Sequence, residues 1–178
     1  MKLIVGLGNP GRKYRNTRHN VGHLFIDYFS RQEAPLPGAV KALRTSAFMN
    51  DSGKEVKSLI TNYTLSRQGR LNATDLCFPI TNLLIVHDDM DLASGEFKFQ
   101  LGRGAAGHKG VQSVIDELET RDFWRLRFGV GRPADDTPAE EFVLGDFCDE
   151  ERPRLEEAFG EALPQVRSWI EGGDCDCE

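Results

Sequence analysis

Short apolar runs alternate along this chain with stretches in which apolar residues recur every three or four positions. Leu3, Ile4 and Val5 lie in a run from 2 to 7 that ends in glycines, which predicts a buried strand. Val21, Leu24, Phe25, Tyr28 and Phe29 share one face of a helix over 20–32. A loop over 33–39, rich in proline, leads to a short strand over 40–43. A helix follows over 51–62, with Asp51 or Ser52 as its N-cap. Residues 63–79 are polar and without period, which predicts a surface loop. The run from Leu83 to Val86 reads as a second buried strand. Strands over 97–101 and 124–130 flank a helix over 109–119. A terminal helix over 149–171 has Pro153 in its first turn, and Pro164 is expected to kink or break it. Strands alternating with helices predict an α/β fold: one domain over 1–178, with a twisted, mostly parallel mixed sheet and helices on both faces.

A length of 178 residues suits one domain with a full core, and no apolar run approaches the ~20 residues of a membrane span. The chain opens directly into its first strand. It therefore acts where it is made, or a targeting segment lies outside this sequence. Cys77 and Cys148 read as isolated structural residues. Cys175 and Cys177 lack a second ligand pair for a metal. The net charge of −6 hides an asymmetry. Residues 134–178 carry 15 Asp and Glu against 3 Lys and Arg, whereas the remainder carries 13 against 19. A basic body with an acidic tail permits a phosphate-bearing partner on one face. A solvated terminal helix explains the tail equally well.

Candidate chemistry gathers after the first two strands. Gly6-x-Gly8-x-x-Gly11 matches a dinucleotide fingerprint by letter. However, the next helix starts some nine residues too late, and the acidic residue at the right spacing, Asp27, sits on a helix. The better reading is a tight turn presenting Asn9, either as a substrate-binding amide or as a plain turn residue. His19 stands between Arg18 and Asn20, just before the first helix. Alone it could be structural. The cluster His87-Asp88-Asp89-Met90-Asp91 ends the other buried strand, and ligand crevices form beyond the carboxyl ends of strands in open α/β sheets. Asp88 is the carboxylate expected to hold the His19 imidazole, with Asp89 and Asp91 facing solvent or capping the loop. A metal reading of this cluster lacks further ligands. No nucleophile elbow is present and no cysteine has a histidine-rich context, so a histidine base with a carboxylate implies activated water and hydrolysis of an ester-like bond. The glycine-rich loop 102–110, with Lys98, Arg103, Lys109, Arg125 and Arg127 nearby in sequence, is an anion site or a flexible connection.

Taken together, the motifs resemble bacterial-type peptidyl-tRNA hydrolase. They are Gly6-Leu7-Gly8-Asn9-Pro10-Gly11, Tyr14-x-x-Thr17-Arg18-His19-Asn20-x-Gly22, Phe48-Met49-Asn50-x-Ser52-Gly53, His87 to Leu92, Gly107-His108-x-Gly110 and Arg125 to Gly131. The resemblance implies cleavage of the ester between a peptide and tRNA in the cytoplasm, by a monomer needing no cofactor or metal. An organellar location applies if a targeting segment precedes this sequence. It further implies His19 as the base and Asp88 as its orienting carboxylate. Asn9, Tyr14, Met49, Asn50, His108 and Lys109 fall at substrate-binding positions, and Arg127 at a tRNA-phosphate position. The chain departs from the family pattern at Lys109, where asparagine is usual. It departs again at Gln100, where a phosphate-clamping lysine is usual; Lys98 and Arg103 are the compensating candidates. The segment before Phe48 is short enough to lack one strand of the usual sheet and expose an edge, and 63–82 is long. These departures give weight to a rival, a catalytically silent RNA-binding relative of the kind found among chloroplast splicing factors.

Overall fold

The computed structural model describes residues 1–33, 40–67 and 78–172, with only the backbone path for 63–67. Cys77, Cys175 and Cys177 lie outside these. Among the described residues, five strands, β1 (Lys2–Gly6), β2 (Val40–Arg44), β3 (Leu83–Asp89), β4 (Phe97–Leu101) and β5 (Trp124–Gly129), form one sheet. Their order is β2-β1-β3-β5-β4, and only β4 runs antiparallel.

Helices cover both faces. The helices α1 (Val21–Gln32) and α5 (Glu151–Glu171) pack on the face carrying Ile4, Leu84, Val86, Leu126 and Phe128. The opposite face carries Leu3, Val5, Leu83 and Ile85. It receives α2 (Ser52–Arg67) and α3 (Lys109–Leu118). β3 is buried along its whole length, as a central parallel strand must be.

Three expectations change. The helix expected to end near 62 continues to Arg67, so the first part of the expected loop is helical; 68–77 lie outside the described residues. As expected, 40–44 form β2, an edge strand that among the described residues pairs with β1 alone and whose exposed Lys41 and Arg44 discourage further pairing. Pro164 does not break α5. Leu155, Ala158, Phe159, Ala162, Leu163, Val166 and Trp169 form one buried stripe on both sides of it, and that packing outweighs the backbone hydrogen bond proline removes. Cys148 is exposed rather than structural. A short helix, α4 (Ala139–Leu144), was not evident from the sequence; six residues are too few to show a period.

Candidate active site

The loop after β1 meets the start of α1 at very short range. A Cβ on Gly22 would lie 2.4 Å from the Val86 carbonyl oxygen and 2.5 Å from that of Leu7, so only glycine lets α1 seat over the ends of β1 and β3. This seating delivers His19, in the 3-10 turn Arg18–Asn20, to the end of β3 where Asp88 stands. Asn20 holds the neighbouring loop. The Asn9 N–H donates to Asn20 Oδ1 (2.8 Å), and Asn20 Nδ2 donates back to the Asn9 carbonyl (2.9 Å). Asn9 Oδ1 accepts the Met49 N–H (2.9 Å), which leaves its Nδ2 as the group able to donate into the cleft.

His19 Nδ1 lies 2.9 Å from Asp88 Oδ1, and His108 Nε2 lies 2.9 Å from the same oxygen. The tautomers follow from their partners. His108 is the N-cap of α3 and its Nδ1 accepts the Val111 N–H (3.1 Å), so its proton is on Nε2 and is donated to Asp88. His19 likewise donates Nδ1–H to the ionised carboxylate, and its Nε2 carries the lone pair. Burial alone would raise the Asp88 pKa. The two imidazoles, His108 first and then His19, outweigh it and hold the carboxyl well below the usual range. His87 is fully buried on the other face of β3. Its Nδ1–H donates to the Asp88 carbonyl (2.7 Å) and its ring lies 4.8 Å from that of His108. Burial, reinforced by His108, pushes its pKa well below 6.5, so it braces the site as a neutral ring.

These groups form one wall of a 620 Å³ cavity lined by Asn9, His19, Met49, Asn50, Asp88, His108 and Lys109, with Val143 and Leu144 of α4 opposite. Phe48 and Leu144, two of the exposed large apolar side chains, also line it. The cleft therefore joins a polar, imidazole-bearing wall to an apolar one.

His19, Asp88 and His108 place three ligand atoms within 4.8 Å, which makes them the candidate metal group among the described residues. The donor set argues against a cation there. A metal on His108 Nε2 would move the ring proton to Nδ1, directly against the Val111 N–H.

The family model for peptidyl-tRNA hydrolase matches residues 3–177. The chain belongs to the peptidyl-tRNA hydrolase family. It is 35% identical to peptidyl-tRNA hydrolase of Syntrophomonas wolfei, over 97% of this chain and 95% of that one. It is 36% identical to that of Thermus thermophilus, over 97% and 91%. A solved structure of peptidyl-tRNA hydrolase from Acinetobacter baumannii superposes with a TM-score of 0.79 at 27% identity, covering 97% of this chain and 89% of that one.

Within this peptidyl-tRNA hydrolase frame, not every residue marked in the sequence reaches the cleft. Tyr14 lies outside the cavity lining; its carbonyl accepts the Thr17 hydroxyl and its ring carries Lys13. Lys98 and Arg103 are exposed and do not line the cleft. Arg127 is buried. Its Nε donates to Asp89 Oδ2 (2.6 Å) and its Nη1 to Gln100 Oε1 (2.7 Å), so this conformation does not present it to a phosphate. Asp89 is correspondingly buried, not solvent-facing, because alternate residues of β3 and β5 share a face. Its Oδ1 does cap the loop, accepting the Asp91 N–H. Lys109 and Asn50 both line the cavity.

Sequence reasoning missed three supports. Asn20 had only its place in the motif as a signal. Arg18 stacks on Phe142 (4.4 Å) and donates to the Asp146 carbonyl and to Glu151, tying the His19 turn to α4 and α5. The Thr45 hydroxyl binds the Gly8 N–H and the His23 ring, which anchors the Asn9 loop from below; nothing in the sequence marks it.

His23 makes that anchor pH-sensitive. Burial, with Arg44 adding to it, lowers its pKa from 6.5 to about 4. A group held neutral in the fold contributes its full stability above pH ~6.5 and loses it as pH falls toward 4, by at most about 3 kcal/mol. Urea titrations between these pH values should show that loss in the wild type and a flatter profile in His23→Gln. Equal slopes would remove His23 from the account.

Proposed function

We propose that this chain hydrolyses the ester joining a peptide to tRNA, with His19 as general base. The observation that carries the reading is the 2.9 Å contact of His19 Nδ1 with a buried, ionised Asp88 on the wall of a substrate-sized cleft. RNA binding alone does not require a base–carboxylate pair. Family membership supports the same activity.

The geometry supports the following steps. His19 Nε2 takes a proton from water as its oxygen attacks the ester carbonyl, and the resulting imidazolium is stabilised by Asp88. Asn9 Nδ2 and the Asn50 amide are the donors for the developing oxyanion. The proton then passes to the leaving ribose oxygen, releasing peptide and tRNA. His108 keeps Asp88 in place as its second donor, and Met49 with Phe48 and the α4 wall accommodates the peptide end. Lys98 and Arg103, with Arg127 if its internal bonds exchange, contact tRNA phosphates on the basic body. The reading includes a monomer acting in the cytoplasm, where peptidyl-tRNA is made. Among the described residues no helix is long and apolar enough to cross a membrane.

Incubating the wild type with N-acyl-aminoacyl-tRNA and no added metal should release N-acyl-amino acid and leave intact tRNA. Binding of tRNA without release would favour the silent relative, and Lys109 would then be the first residue to exchange for asparagine.

A further inference from the structure

Lys109, the first residue of α3, reaches across the cleft mouth to Glu140 on α4, with Nζ 2.6 Å from Oε1. Both side chains are more than half exposed and both line the cavity. A shallower groove between α2 and α3 leaves the cleft at this point. It shares Asn50 and Lys109 with the cleft and continues past Lys54, Gln112 and Ser113 to the acidic Asp116 and Glu117, so the place for a phosphate is the junction and not the groove's far end. Lys109 is thus the cation at the junction of the two depressions. Lys54, further along, pairs locally with Asp51 three residues away, whereas the partner of Lys109 comes from the opposite wall.

An exposed ion pair gives little net stability and is easily exchanged. A phosphate offers an ammonium the same kind of oxygen as a carboxylate, with more charge nearby along an RNA strand. We propose that Glu140 is an internal competitor of RNA. Its carboxylate occupies Lys109 until a backbone phosphate near the tRNA 3′ end displaces it, and Lys109 then holds that phosphate at the cleft mouth. The inference rests on the tRNA-directed reading above. It assigns Glu140 a role opposite to that of a strap holding α4, because removing the competitor tightens RNA binding whereas cutting a strap loosens it.

The test is the affinity of deacylated tRNA, by fluorescence anisotropy, across about 50 to 200 mM KCl. Glu140→Gln should bind a few-fold tighter than wild type. Lys109→Gln should bind more weakly, with the slope of log affinity against log salt reduced by about one. Glu141→Gln, on the same short helix with the same charge change, measures the general effect of losing one negative charge. In a Lys109→Gln background the Glu140→Gln gain should shrink to the size of the Glu141→Gln effect. Glu140→Gln matching Glu141→Gln, or weakening binding, overturns the proposal alone. A folded wild type with no affinity for tRNA overturns the functional reading and this proposal with it.

Discussion

Asp88→Asn will lower the rate of ester cleavage by about 10²–10⁴-fold while moving tRNA affinity little. The carboxylate oxygen that accepts from His19 also accepts from His108, so one substitution disturbs both rings. His108 has a second restraint in the Val111 N–H and will stay in place. His19 has no such second restraint on its ring nitrogens in the structure described. An asparagine amide can turn its NH₂ toward Nδ1, moving the ring proton to Nε2 and removing the lone pair that must accept the proton of water. Where the correct tautomer persists, the imidazolium still lacks its counter-ion. Single-turnover kinetics on N-acyl-aminoacyl-tRNA separate this loss from binding. A rate within a few-fold of wild type would show that Asp88 only packs.

Gly22→Ala will cost the fold about 3 kcal/mol or more, and with it roughly 10 °C in Tm. The added Cβ meets three backbone atoms, the carbonyl oxygens of Val86 and Leu7 and the Leu7 nitrogen, all within 2.6 Å. Backbone cannot rotate aside as a side chain does, so α1 must lift from β1 and β3. The roughly 1 kcal/mol by which alanine favours a helix over glycine does not offset this. Because His19 lies three residues upstream, in the 3-10 turn that leads into α1, any folded fraction will also have its imidazole misplaced. Gly104→Ala, where nothing lies within 4 Å of the new Cβ, is the control and should melt like wild type.

Much of this arrangement was legible in the sequence because it depends on local pattern. Leu3 to Val5 and Leu83 to Val86 announce buried strands, and both clusters of chemistry follow at their carboxyl ends. Pairing His19 with Asp88 required only that β1 and β3 be neighbours, which they are. What could not be read is set by tertiary contacts without period. The shared acceptor on Asp88 depends on His108 arriving from the N-terminus of α3. Thr45 acts through one hydroxyl at the end of an edge strand. In the sequence Asp89 looks solvent-facing or loop-capping and Arg127 looks like a phosphate contact; they become a buried pair because β3 and β5 are adjacent. Pro164 reads as a helix breaker until the apolar stripe of α5 is seen to continue past it.

The central claim is that His19 is the base in ester hydrolysis, and one assay bears on it directly. Release of labelled N-acyl-amino acid from N-acyl-aminoacyl-tRNA is followed for wild type and His19→Ala together, without added metal, with tRNA affinity measured on the same preparations. The account predicts turnover by the wild type and its near abolition in His19→Ala, with affinity close to unchanged. Comparable turnover in His19→Ala would contradict it.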